Sequence, residues 1–326
     1  MGQKSFEGVV VHNNLIFIVS IKRLGQHWLI VTKLLRFFGK AIYNRYLCAP
    51  SRLHFSLLKW EKGLVTFIFM TPQQRHEIEE LVSVLPPITL AEMSAVRLMK
   101  RTDCKYLTNL PTLMRLLELT RNSYFIQEHE GTRISPYATT YWDDANYTFY
   151  HTHQAGHRPR VKIRVRTYVC SQCSFLEIKT KDNHGKTRKQ RVQVPSVEAV
   201  VNNHVGNDFL QQHLGLSLDK IAPTVSNRFE RITLVNRNKT ERLTIDFDIR
   251  FINCETHTEQ LMENIVVIEL KREGHAASPI LPILRELRIK PAGFSKYCVG
   301  ATVTTPNLRV NRFKKRLISI HKVALC

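Results

Sequence analysis

Between Arg158 and Lys181 the chain reads RPRVKIRVRTYVCSQCSFLEIKTK, and this stretch constrains the fold more than any other. Read with a period of two, Lys162, Arg164 and Arg166 fall on one face of a strand, and Val161, Ile163 and Val165 on the other. A short loop with Cys170 and Cys173 comes next. Glu177, Lys179 and Lys181 then share one face of a second strand, opposite Leu176 and Ile178. Two neighbouring strands thus each present a row of cations. Like charges this dense repel, so the rows suit a highly charged anion lying between them. Alternation alone also fits a hairpin with one solvated face.

The rest of the composition bears on that choice. The 326 residues hold 48 Lys and Arg against 27 Asp and Glu, a formal net charge of +21. Such a balance implies polyanionic partners: nucleic acid, phosphate polymers or an anionic membrane face. Seven Cys, spread from Cys48 to Cys326, make no disulfide framework, so a reducing, cytoplasmic setting is expected. The longest apolar runs near the start, LIFIVSI and WLIV, are too short for a membrane span and are broken by Lys22, Arg23 and Lys33. No transmembrane segment or signal peptide is expected.

Residues 1–69 differ in character from the rest of the chain: Glu7 and Glu61 are their only acids, and apolar residues show no sustained period. Three readings stand: a basic membrane-surface or targeting segment, a small extra module, or sequence outside the working protein. The last is favoured, because an orderly start appears at Met70. Thr71 caps a helix with Pro72 in its first turn; Ile78, Leu81, Val82 and Leu85 share one face, and Pro86-Pro87 stop it. Thr89 and Glu92 form a capping-box pattern for a second helix, continued by Met93, Val96 and Met99. Helices are therefore expected over 70–100, a main domain over 101–317 and a tail over 318–326.

Within the main domain, RTDCKYL (101–107) is a strand with Asp103 and Lys105 on one face, and Asn109-Leu-Pro111 opens a helix. YATTYWDD (137–144) reads as a strand, and His151 and His153 of FYHTH as neighbours on one strand face. RFERITLV places Arg231 outside an apolar row. ERLTIDFDIRF alternates Arg242, Thr244, Asp246, Asp248 and Arg250 against Leu243, Ile245, Phe247, Ile249 and Phe251. NIVVIELK presents Glu269 and Lys271 opposite Val266, Ile268 and Leu270. Most strands thus pair a charged face with an apolar one. An antiparallel sheet with its charged face in water fits this, and so does a closed barrel with that face turned inward and helices outside.

RTDCKY, YATTYWDD, FYHTHQAGHRPRVKIRVRTY, FLEIKTK, RFERITL, ERLTIDFDI, VVIELKR and SPILPILRELRIKPAGFSKYCVG occur in this order. Together, from about residue 88 to about residue 316, they resemble the VTC (vacuolar transporter chaperone) domain of polyphosphate polymerases, in its bacterial, soluble form. That family is a branch of the triphosphate tunnel metalloenzymes. The resemblance implies an α+β fold with an antiparallel eight-stranded barrel, its tunnel lined with basic residues. It implies transfer of the terminal phosphate of ATP to a growing polyphosphate chain with a divalent cation, Mn or Mg. Matched motif by motif, Lys105, Arg164, Arg166, Lys179, Arg231, Arg242 and Lys296 are the catalytic cations. His153, Lys162, Lys181, Lys271 and Ser295 contact substrate, and Glu269 holds the metal. One departure stands out. Other tunnel enzymes begin with E-x-E-x-K, whereas Thr102, Asp103 and Cys104 precede Lys105 here, which puts a two-metal site in doubt.

Elementary chemistry agrees. Phosphoryl transfer needs alignment and cations on phosphate oxygens more than covalent help, and a carboxylate such as Glu269 among phosphates needs a metal to offset repulsion. Two other functions compete: a triphosphatase in which water replaces the acceptor chain, and a binding module without chemistry. Nucleic acid is not expected, because few aromatics interleave with the cations. Cys170-x-x-Cys173 has no second close pair to complete a zinc site. Gly185-Lys186-Thr187 lacks the spacing of a nucleotide phosphate loop and reads as a turn. The basic runs at 186–191 and 312–316 read as solvated faces that could also guide a polyanion.

Overall fold

The computed structural model describes residues 70–94, 101–202, 204–274 and 276–325, together with the backbone of five strands within residues 1–69. The chain divides into two compact units, Met1–Phe69 and Met70–Cys326. In the first, β1 (Ser5–His12), β2 (Leu15–Leu24) and β3 (His27–Arg36) form an antiparallel meander, and β4 (Leu58–Glu61) and β5 (Leu64–Phe67) pair as a hairpin.

The second unit opens with α1 (Pro72–Ser83). Thr71 Oγ1 accepts from Gln74 N, and the Gln74 side chain accepts from Thr71 N. Ile78 and Val82 are buried beneath it. A short β6 (Pro87–Ile88) leads to α2 (Leu90–Ser94), whose Thr89–Glu92 capping box forms as expected. Val96 and Met99 lie outside the described residues. β7 (Arg101–Thr108) is followed by α3 (Leu110–Thr120), capped by Asn109, then by β8 (Tyr124–Gln127) and β9 (Ser135–Asp143).

FYHTH is helical, not a strand: α4 spans Thr148–Ala155. His151 and His153, two residues apart, therefore point in different directions from the helix. Alternation misled because the helix start is set at a distance. Asp143, at the end of β9, is fully buried and accepts from Phe149 N and Tyr150 N, which the first turn would otherwise leave unpaired. Gly156, with φ 76°, ends the helix.

β10 (Arg160–Tyr168), β11 (Cys173–Lys181) and β12 (Thr187–Val194) come next, then α5 (Val197–Asn202) and α6 (His204–Leu214). The long β13 (Ala222–Asn236) and β14 (Glu241–Asn253) precede β15 (Glu259–Met262) and β16 (Val266–Glu273). The chain closes with α7 (Ile280–Glu286), α8 (Lys296–Thr304) and α9 (Lys314–Leu325), which runs unbroken across residues 317 and 318 and buries Ile320.

Eight antiparallel strands form one continuous path, β12-β11-β10-β9-β13-β14-β16-β7. Side chains from β7 and β12, the two ends of that path, line the same cavity, so the sheet curls back on itself. Among the described residues β7 and β12 do not pair, so hydrogen bonding stops short of a full cylinder and the sheet is a half-barrel. The fold is α+β, with the charged faces inward.

The apolar faces point outward and are covered. α1, α3 and α7 pack on Ile232, Leu234, Leu243, Ile245, Phe247, Ile268 and Leu270. α5 and α6 bring Val200, Phe209 and Leu210 against Ile163, Val165, Leu176 and Ile178. Each such side chain, fully buried, contributes roughly 1.5–3 kcal/mol, and so the outer layer fixes which face the cations take. A third cluster lies on the inner face at one end of the sheet, where α4, α8 and α9 pack against Tyr141, Val225, Ile249 and Phe251. The expected alternation along β14 is corrected here, because a bulge at Asp248, with φ 49°, turns Ile249 and Phe251 inward and Arg250 outward.

α8 approaches the sheet at a glycine. A Cβ on Gly300 would meet Phe251 Cδ1 at 2.5 Å and a Val225 methyl at 2.8 Å, both inside the core. Gly300→Ala should therefore destabilise the fold by about 1–3 kcal/mol through overpacking, read as a lower urea midpoint; an unchanged midpoint would mean that α8 does not pack this closely.

Candidate active site

The inward cations are not bare. Glu177 is 1% exposed, and its Oε2 accepts from Arg164 Nε at 2.7 Å and lies 2.6 Å from Arg164 Nη2. Its Oε1 lies 2.5 Å from Lys189 Nζ on β12. Asp246, 4% exposed, accepts from Arg231 Nε at 2.6 Å and Nη2 at 2.8 Å, and also from Lys296 Nζ. Each buried carboxylate thus holds one guanidinium and one ammonium. Burial would push the Glu177 carboxyl up, but Arg164, Arg166 and Lys189 hold it at about 2. Burial likewise opposes ionisation of Asp246, yet Arg231 and Lys296 keep its carboxyl well below the ordinary carboxylate range. Burial pulls Lys296 down to about 8 against the Asp246 attraction. The cation rows, read as suited to a highly charged anion between them, are thus partly balanced by two carboxylates of the chain itself.

Aromatic rings also pack against these cations. Arg231 lies 4.7 Å from the Tyr137 ring centre and 5.1 Å from that of Phe229, and Lys296 Nζ 4.1 Å from the Phe229 ring. Arg166 lies 5.9 Å from Tyr137; burial, then Arg164 and Arg231, lower its pKa. Arg242 pairs in register with Lys271, and Thr244 with Glu269.

A cavity of about 620 Å³ opens at one end of these rows. Of the residues singled out in the sequence, Lys105, His153, Lys162, Lys179, Lys181, Glu269 and Ser295 line it. Arg164, Arg166, Arg231, Arg242, Lys271 and Lys296 do not; Arg164 and Arg166 continue the row of Lys162 beyond it along β10. Lys105 Nζ donates to Phe294 O at 3.2 Å, and Lys162 Nζ to Ser295 Oγ at 2.9 Å. Ser295 also caps α8, accepting from Cys298 N at 3.3 Å. Burial lowers Lys162 to about 7, helped by Lys105, Arg160 and Lys179 against an opposing pull from Cys298. Burial, then Lys162, Arg160, Arg316 and Lys105, hold the His153 imidazole neutral, near 2.

Arg160, Arg316 and Asp103 also line the cavity and were missed as site residues. Arg160 was findable, being one more step of two upstream of Lys162. Arg316 was visible only as part of a basic run, since its place comes from α9. Lys189 was likewise hidden in a basic strand until Glu177 showed where it points.

The donor set fits a metal carried by substrate. Glu269 Oε2 lies 3.7 Å from Lys271 Nζ, beyond hydrogen-bond length. Burial would raise its carboxyl, but Lys105, Lys271 and Arg231 hold it at about 2, so it is anionic. Among the described residues no three His, Cys, Asp or Glu converge into a cage. One carboxylate with phosphate oxygens and water suffices for an ion of the magnesium kind, and Glu269 is placed to supply it.

The sequence pattern of the VTC domain matches residues 100–305. The chain belongs to the VTC domain family. No curated protein matches it in sequence. Among solved structures, a candidate adenylate cyclase from Bacillus halodurans is similar at 13% identity and TM-score 0.40, over 66% of this chain and 100% of its own. A candidate adenylyl cyclase from Hippeastrum with a dominant triphosphatase activity is similar at 12% identity and TM-score 0.36, over 64% and 98%. A Pyrococcus horikoshii protein matches at 13% identity and TM-score 0.35, over 62% and 98%. The chain thus joins the VTC family pattern to a curled antiparallel sheet of eight strands.

The Glu177 contacts make a pH prediction for this VTC domain. A carboxylate held at about 2 stabilises the fold above its ordinary value of 4.5, and that contribution is lost as pH falls from 4.5 through about 2. Glu177→Gln should cost about 3 kcal/mol or more at neutral pH, because it strands Arg164 and Lys189. Thermal melts should also show the variant losing less stability than wild type across that acid window. Parallel pH profiles would contradict the assignment.

Proposed function

We propose that this VTC domain transfers the terminal phosphate of ATP to the end of a polyphosphate chain. The observation that carries this reading is the cavity wall, where Lys105, Lys162, Lys179, Lys181, Arg160 and Arg316 meet the half-buried carboxylate of Glu269. A row of cations suits a linear polyanion, and a half-buried anionic ligand among them suits a metal that arrives with phosphates. No helix among the described residues is long and apolar enough to cross a membrane. We place the enzyme in the cytoplasm, a setting suited to the free thiols Cys104, Cys170, Cys173, Cys254 and Cys298.

In this mechanism an oxygen of the terminal acceptor phosphate forms a bond to the γ-phosphorus of ATP. The bond from that phosphorus to the β–γ bridging oxygen breaks, ADP leaves with the electron pair, and the chain is one phosphate longer. The attacking oxygen is already anionic, so no protein base is required. Arg164 and Arg231, clamped by Glu177 and Asp246, are fixed donors that need no reorganisation as charge develops. Lys179 on β11 is exposed in the cavity and supplies a movable charge there. Mn or Mg, held by Glu269 and the phosphate oxygens, would neutralise charge across the reacting groups.

The test is to incubate the protein with ATP and Mn, with and without a short polyphosphate primer, following ADP, free phosphate and polymer length together. The polymerase reading expects ADP matched by lengthening polymer with little free phosphate. Stoichiometric free phosphate would replace it with a triphosphatase. Glu269→Gln should cut turnover about a hundredfold or more; full turnover in that variant would remove Glu269 from the site.

A further inference from the structure

The cavity has two sides of different chemistry. Among the described residues that line it, the carboxylates are Asp103 and Glu269, on the adjoining strands β7 and β16. The opposite side is built by β10, α4, α9 and the start of α8. There His153 faces Lys162 and Arg160 from β10, Arg316 from α9 and Lys105 from β7, all cations. The α8 wall adds Ser295, which orients Lys162, and the Cys298 thiol, whose titration burial pushes up. His153 Nδ1 is buried and finds no hydrogen-bond partner among the described residues.

We propose that this second side is a metal-free phosphate subsite that seats the end of the acceptor chain, apart from the nucleotide phosphates beside Glu269. The proposal rests on the polyphosphate reading above and refines it. A phosphate neutralised by a metal needs a carboxylate to hold that metal, and this side lines the cavity with none. It supplies its own neutralisation instead: two guanidiniums that match phosphate oxygens, an ammonium fixed by Ser295, and the N-terminal end of the nine-residue α8. The orphaned imidazole nitrogen gives a phosphate oxygen one more partner. Lys105 acts on both His153 and Glu269, so it stands at the junction where the γ-phosphate would meet the acceptor.

A consequence separates this subsite from a merely basic wall. Burial first, and the surrounding cations after it, keep His153 neutral while no anion is present. A bound polyanion cancels the field of those cations and sets an acceptor oxygen against the buried ring, which together favour the protonated, donating form.

The experiment uses the full chain and tripolyphosphate, first in EDTA and then with Mn. Calorimetry should show binding in EDTA, weakened about tenfold by Arg160→Gln or Arg316→Gln and not weakened by Glu269→Gln. In the wild-type protein at pH 7, labelled-histidine NMR should show the His153 ring, identified by its loss in His153→Gln, moving from imidazole to imidazolium as tripolyphosphate saturates. Binding that strictly requires Mn and fails in Glu269→Gln, with His153 staying neutral, would overturn the subsite alone. No binding in either condition would overturn the polyphosphate reading together with it.

Discussion

Everything on the concave face depends on two buried carboxylates. Without Glu177 and Asp246, the guanidiniums of Arg164 and Arg231 and the ammoniums of Lys189 and Lys296 would face one another across a few ångströms in a low dielectric. Each carboxylate fixes a cross-strand pair: Glu177 ties β11 to β10 and β12, and Asp246 ties β14 to β13 and to the start of α8. The same contacts therefore set charge, register and the position of α8. A buried ion pair is weak evidence for net stability, and here its clearer effect is to keep donors in place when no phosphate is bound.

The outer shell makes that inward arrangement the stable one. Alternating strands bury one face under α1, α3 and α7 and under α5 and α6, and turning any strand over would put its aliphatic row into water. The end of the half-barrel is organised by Asp143, which starts α4 through two backbone N–H groups and accepts from the Tyr297 hydroxyl of α8. One carboxylate outside the cavity thereby positions the helices that carry His153, Ser295 and Lys296.

Much of this was legible in the sequence, because strand alternation and helix capping are local. The inward faces of β10, β11 and β16, the caps at Thr71, Thr89 and Asn109, and the placement of Lys105, Lys162 and Glu269 come from spacing alone. The even alternation read along β14 fails at Asp248, where a bulge with φ 49° turns Ile249 and Phe251 to the face of Asp246. What was hidden depends on distant partners. FYHTH alternates like a strand, but Asp143 makes it a helix. Arg316 and Lys189 are ordinary members of basic runs until α9 and Glu177 give them an address. Asp246 was read only as one of a charged row; its bidentate grip on Arg231 required knowing that β13 and β14 pair with those two residues in register.

The account stands most directly on where a linear phosphate lies in the molecule. A crystal structure of the full chain with Mn and tripolyphosphate measures this. The account predicts phosphates threaded between Lys105, Lys162 and Lys179, with the metal bound to Glu269 and the Glu177 and Asp246 contacts intact. Phosphates bound only to the outer basic surface, or a metal held away from Glu269, would contradict it.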